Sequence, residues 1–88
     1  MKYRQLERLV RGFANHRRLQ ILELLERSPE LSVEEIALAL KVNYKTIADH
    51  VRRLAIPGLV LKRNAANAVR HKITHQGLRI LKFLRTLE

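Results

Sequence analysis

The sequence predicts a mainly α fold carrying one small β-hairpin, in the order helix, helix, helix, helix, hairpin, helix. Three observations lead to it. Apolar residues recur at three- and four-residue spacing in five segments, and side chains suited to capping stand before four of them, at Asn15, Ser32, Asn43 and Thr74. Only Lys41-Val42-Asn43 separates the third segment from the fourth. After the fourth, Pro57-Gly58 stops the helical pattern and two short arms rich in Val, Leu and Ile follow.

The elements follow in order. Tyr3, Leu6, Leu9, Val10 and Phe13 trace one face of a first helix, which Gly12 and Asn15 are expected to interrupt. Asn15 can cap a second helix from about His16 to Arg27, with Leu19, Leu22 and Leu25 or Ile21 turned inward, and Ser28-Pro29 ends it. Ser32-Val33-Glu34-Glu35 has the form of a capping box. A third helix from about Val33 to Leu40 would bury Ile36, Ala37 and Leu40. Asn43 caps a fourth, from Tyr44 to Ala55. Two helices joined by about three residues form a helix-turn-helix, here about 33–55. Leu59-Val60-Leu61 reads as a strand, Asn64 to Asn67 as the turn region, and Val69 to Ile73 as the returning strand, a wing at about 59–73. On that strand Val69, His71 and Ile73 share one face, and Arg70 and Lys72 the other. Thr74 caps a last helix. The whole is expected to be one winged helix-turn-helix domain over 1–88, with candidate dimerisation helices at about 3–12 and 75–87.

Charge points to a partner. The chain has 18 Lys+Arg against 8 Asp+Glu, a formal net charge of +10. Between 41 and 72 the basic residues Lys41, Lys45, Arg52, Arg53, Lys62, Arg63, Arg70 and Lys72 face Asp49 as the one acid. An excess gathered in one third of a chain suits a polyanion. With no cysteine there is no disulfide or thiolate nucleophile, and no Cys-and-His spacing suggests structural zinc. No Gly-rich phosphate loop or clustered catalytic constellation is present, so an enzyme is not expected. No apolar run reaches the roughly 20 residues of a membrane span, so no membrane partner is expected, and a cytoplasmic location is.

The fourth segment carries the chemistry. At about 100° per residue Ile47, Val51 and Leu54 fall together, while Lys45, Asp49 and Arg52 lie opposite, flanked by Thr46, Ala48 and Arg53. Lys and Arg can meet guanine acceptors or phosphates, a carboxylate can accept from cytosine, and alanine permits close approach to a thymine methyl. This face suits the major groove of double-stranded DNA. In the hairpin, Lys62 and Arg63 precede the turn and Arg70 and Lys72 follow it, placing cations on both arms to grip phosphates.

Four stretches then resemble one family. Phe13-Ala14-Asn15-His16-Arg17-Arg18-Leu19-Gln20-Ile21-Leu22 is similar to the LADPTRLRIL opening of ArsR-like winged-helix repressors. Leu31 to Ala37 resembles their LSVGELA, Val42 to Leu54 their LSQSTVSHHLRRL, and Gly58-Leu59-Val60 the GLV that opens the wing. The match covers about residues 6 to 84, and MarR-like regulators share much of the pattern. The resemblance implies a homodimer that sets two recognition helices in successive major grooves of a roughly palindromic site. It places Asn43, Tyr44, Lys45, Ala48 and Asp49 in the DNA-reading segment, where Asp49 departs from the histidine often found there. The family's metal-binding thiolate pair would fall at Ser32 and Glu34, neither a thiol, and the site on the last helix would have only His75, with His71 before it. No metal or other cofactor is therefore expected.

Leu78, Ile80, Leu81, Phe83, Leu84 and Leu87 span more than half of the last helix's circumference. Leu78 and Leu81 are expected to cover the domain's own core. Ile80, Phe83, Leu84 and Leu87, joined by Tyr3, Leu6 and Val10, are the candidate dimer seam. A sequence-specific regulator, more readily a repressor than an activator, is the leading expectation. A non-specific architectural DNA-binding protein and a winged-helix adaptor between proteins are the alternatives.

Overall fold

The computed structural model describes all 88 residues and contains α1 (Tyr3–Phe13), α2 (His16–Arg27), α3 (Val33–Leu40), α4 (Tyr44–Ala55), β1 (Val60–Ala65), β2 (Ala68–Ile73) and α5 (His75–Arg85). The capping chemistry expected from the sequence sets these boundaries. The Asn15 side chain accepts from the amides of Arg17 and Arg18, Asn43 from those of Lys45 and Thr46, and Thr74 from that of Gly77. At α3 both halves of the capping box form: the Glu35 amide donates to Ser32 Oγ at 3.1 Å and the Ser32 amide to Glu35 Oε1 at 2.9 Å.

The α3–α4 turn is built on Lys41, whose φ of 56° is left-handed. The Lys41 amide donates to the Leu38 carbonyl and the Val42 amide to the Ala37 carbonyl, a Schellman closure that satisfies the end of α3 and redirects the chain in three residues.

One core of twelve residues unites the elements: Ile21, Leu22 and Leu25 from α2, Ile36 and Ala37 from α3, Ile47, Val51 and Leu54 from α4, then Leu59, Val60, Ile73 and Leu81. Leu19 and Leu40, expected inside, are only half-buried: Leu19 lies to one side of the Ile21, Leu22 and Leu25 stripe, and Leu40 shares the α3 stripe but stands at the helix end. Gly12 does not interrupt α1. It is buried where α1 meets the end of α4, and a Cβ there would lie 2.5 Å from Pro57 Cγ. Gly77 does the same for α5: a Cβ would come within 2.6 Å of the Leu59 carbonyl oxygen. Both glycines permit close approach between elements.

The hairpin pairs antiparallel from Val60↔Ile73 to Ala65↔Ala68, so its turn is only Ala66-Asn67, shorter than the Asn64–Asn67 region expected. Leu31 adds an isolated bridge to His71, giving β2 a neighbour on its other edge that the sequence did not reveal. On the face shared by Val69, His71 and Ile73, His71 and Ile73 are buried, whereas Val69, near the tip, is exposed.

Candidate nucleic-acid interface

Helix α4 is divided between interior and solvent. Ile47 and Leu54 are 0% exposed and Val51 1%. Burying each side chain contributes about 1.5–3 kcal/mol, which fixes the helix's rotation about its axis. With that rotation set, Asn43, Tyr44, Lys45, Thr46, Arg52 and Arg53 are exposed, and Ala48 and Asp49 are half-buried beside them. The positions of this segment expected to read DNA therefore all reach solvent, wholly or in part.

Their electrostatics are less simple than their order along the chain suggests. Asp49 Oδ1 accepts from Arg52 Nη2 at 2.7 Å, and Asp49 Oδ2 accepts from Arg53 Nε at 2.9 Å. These hydrogen bonds, Arg52 first, hold the Asp49 carboxyl below its usual range. The carboxylate fixes both guanidinium groups in place and leaves each with free donors. Lys45, one turn before Asp49, takes part in no ion pair. Spacings of three and four residues between acid and base signalled this arrangement in the sequence.

The hairpin's four cations fall into two pairs. Arg63 and Arg70 stand opposite each other in register, and both turn toward the loop before α3. Arg63 Nε donates to Glu30 Oε1 at 2.6 Å. Arg70 Nη1 donates to the Glu30 carbonyl at 3.0 Å and approaches Glu35 Oε1 at 3.4 Å. Glu30 reaches the hairpin because Leu31 pairs with β2, a contact some 40 residues apart that no local pattern announces. Lys62 and Lys72 are exposed and take part in no ion pair.

The candidate seam is also mixed. Tyr3, Leu6 and Val10 on α1 are exposed, as are Phe83 on α5 at 54% and Leu87, in the turn after it, at 67%. Ile80 and Leu84 are half-buried, and Ile80 packs on the core. Leu78, expected to cover the core, is exposed at 39%; Gly77 and Leu81 hold the buried line of α5 instead. The helix therefore rolls Leu78 outward and draws Ile80 in.

No three His, Asp or Glu side chains gather as a metal site would require. The His71 ring is buried with Nδ1 2.9 Å from the Leu31 carbonyl oxygen, and His75 is exposed in the first turn of α5. His50 is half-buried, its Nδ1 accepting from Arg18 Nε at 3.2 Å. His16 is exposed. No helix is long and apolar enough to cross a membrane.

Comparison with known proteins agrees with this geometry. Residues 15–62 match the model of the bacterial regulatory protein, arsR family. Among solved structures, the homodimeric winged helix-turn-helix DNA-binding domain of Mb0332 from Mycobacterium bovis, a possible ArsR-family transcriptional regulator, superposes with a TM-score of 0.87. It shares 31% identity over 97% of this chain and 79% of that chain. HlyU from Vibrio cholerae gives a TM-score of 0.81 at 31% identity, over 99% of this chain and 97% of that one. The ArsR-like transcriptional regulator from Rhodococcus sp. RHA1 gives 0.77 at 28%, over 97% and 77%. No curated protein sequence matches significantly. The family model spans more than half of the chain and includes the second helix, the helix-turn-helix and the start of the wing's first arm, so the chain belongs to the ArsR family of bacterial regulatory proteins.

Proposed function

We propose that this chain is a homodimeric transcriptional regulator that binds double-stranded DNA by sequence, acting as a repressor by occupying its site. The observation that carries the reading is the division of α4: Ile47, Val51 and Leu54 are sealed in the core while Lys45, Thr46, Arg52 and Arg53 stand in solvent. Lys45 and the N-terminal turn, from Asn43 to Ala48, enter the major groove. Asp49 orients Arg52 toward it, and Lys62 and Lys72 of the wing meet phosphates. Arg63 and Arg70 reach DNA only by releasing Glu30 and Glu35, so their contribution is smaller than their charge suggests.

The dimer reading draws on the exposed apolar residues of α1 and α5 and on the homodimeric Mb0332 domain. Tyr3, Leu6, Val10, Phe83 and Leu87 supply the seam, and Ile80 and Leu84 support it from behind. A second copy would cover this apolar surface.

The test uses a duplex that the protein itself selects from a random library, compared with a scrambled duplex at about 0.15 M salt. Selective binding of about a thousandfold or more is expected. Lys45→Ala should cost about 1–3 kcal/mol on the selected duplex and much less on the scrambled one. Equal losses on both would remove base readout and leave sequence-independent coating of DNA, the reading that the net charge of +10 alone would support.

A further inference from the structure

Three arginines that the helix-turn-helix reading does not use gather around Arg53 near the end of α4. Arg8 and Arg11 from α1, Arg18 from α2 and Arg53 from α4 line a cavity of about 140 Å³, whose other walls are Gly12, Ile56 and Pro57. At about 30 Å³ per water, the space holds a few waters or one phosphate group. Gly12 packs tightly on Pro57, which brings the end of α1 against the end of α4 and so gathers the four side chains.

Structural roles account for only part of the cluster. Arg18 Nη1 donates to the carbonyls of Arg11 at 2.9 Å and Gly12 at 3.1 Å, closing the C-terminus of α1, and its Nε donates to His50. Arg11 pairs with Glu7 at 3.3 Å and Arg53 with Asp49, but neither acid lines the cavity. Arg8 takes part in no ion pair. Every guanidinium keeps free N–H groups; burial and then the nearby Arg53 charge lower the pKa of Arg18, and the Asp49 carboxylate partly opposes them. Four cations thus meet with two carboxylates at the rim, Glu7 and Asp49, which leaves the cluster with an excess of positive charge.

We propose that Arg8, Arg11, Arg18 and Arg53 form a clamp for a phosphodiester of the DNA backbone, beside the segment that α4 reads. The inference rests on the DNA-binding function proposed above and extends its footprint onto α1. Arg53 links the two surfaces: Asp49 holds it together with Arg52, and its side chain enters the ring. Arg53 therefore grips backbone and does not read a base.

The experiment follows the salt dependence of binding to a random 40-base-pair duplex, since a phosphate contact needs no particular sequence. Each phosphate contact contributes about 0.9 to the slope of log K against log salt. The double variant Arg8→Gln with Arg11→Gln spares Arg18 and its backbone bonds. It should flatten the slope by about 1–2, whereas Arg79→Gln with Lys82→Gln, removing equal charge from exposed α5 positions, should leave it within about 0.5. An unchanged slope in the α1 variant overturns the clamp, and the function stands if Lys45→Ala still weakens the selected duplex. Equal flattening by both double variants also overturns it, by showing only the effect of net charge. If the unmodified chain binds no duplex, clamp and function fall together.

A second arm separates DNA from a free anion through the NMR signals of the arginine Nε–H groups. Those of Arg8, Arg11 and Arg53 should shift with a short duplex and stay in place with 5 mM inorganic phosphate at matched ionic strength. A shift with inorganic phosphate alone would overturn the assignment to the DNA backbone.

Discussion

In α4 the aliphatic stripe of Ile47, Val51 and Leu54 lies inside and the charges outside; in α1 and α5 a row of apolar residues lies outside as well. Ile47, Val51 and Leu54 have no contact left to gain, whereas Tyr3, Val10, Phe83 and Leu87 each keep about half or more of their surface in water. The two regions belong to one chain of 88 residues, and the core of that chain has only twelve members. So small a domain spends its buried volume on orienting the α4 surface and leaves the outer faces of its terminal helices unpartnered. On the proposed function, one region is complete in a single copy and the other is completed by a second.

The comparison breaks most sharply at Ile47. Ile47→Ala should destabilise the chain by about 2–5 kcal/mol, because a fully buried branched side chain is removed from beneath the reading surface. For a domain of this size that lowers the thermal midpoint by about 10 °C or more, followed by circular dichroism. A loss below about 1 kcal/mol would show that α4 is not anchored by its own apolar stripe.

The opposite region calls for the opposite experiment. Phe83→Glu should leave the secondary structure unchanged while raising the dissociation constant of the dimer by about a hundredfold, or about 2.7 kcal/mol, in sedimentation equilibrium. Leu78 sharpens the test. It is exposed too, but about 140° around α5 from Phe83, so Leu78→Glu should change self-association by less than about fivefold. If the two variants act alike, the seam does not follow the Phe83–Leu87 edge.

How far the sequence could be read divides along similar lines. The caps at Asn15, Ser32, Asn43 and Thr74 act over three residues, and their chemistry is local, so their partners were legible. The interior stripe of α4 was legible because period and burial agree. On α5 the periodicity was ambiguous: six apolar residues around the helix do not say which rotation packs best, and the tight seat of Gly77 against Leu59 decides it. Asp49 was legible as a carboxylate on a basic face, and its spacing to Arg52 and Arg53 held the further information that it would bind them. The pairing of Arg63 and Arg70 with Glu30 was not legible, since it depends on Leu31 joining β2 across the fold. The arginine ring beside α4 was hidden for the same reason.

The smallest expected effect concerns how the wing is fastened to the rest. The backbone amide of His71 donates to the Leu31 carbonyl at 2.9 Å, and ring Nδ1 lies 2.9 Å from the same oxygen, so the neutral ring carries its proton on Nδ1. Burial pushes the imidazole below its ordinary value; the Leu31 carbonyl opposes the shift and the charge of Lys62 adds to it. An unfolded histidine titrates near about 6.5. Between that value and the lower folded one the unfolded chain binds more protons, so stability rises with pH there. The contribution is fully present above about 6.5 and is lost as pH falls through the folded value. His50 acts with the same sign, through burial and then the charge of Arg18. The carboxylates of Asp49, Glu35 and Glu26, all held below their usual range, lose their contributions only in more acidic solution. Urea midpoints should therefore decline modestly from pH 7.5 to pH 5. His71→Gln should remove part of that decline, and His50→Gln most of the remainder. If His71→Gln is less stable but keeps the full slope, the ring is protonated as easily in the fold as out of it, and the joint between wing and α3 does not respond to pH.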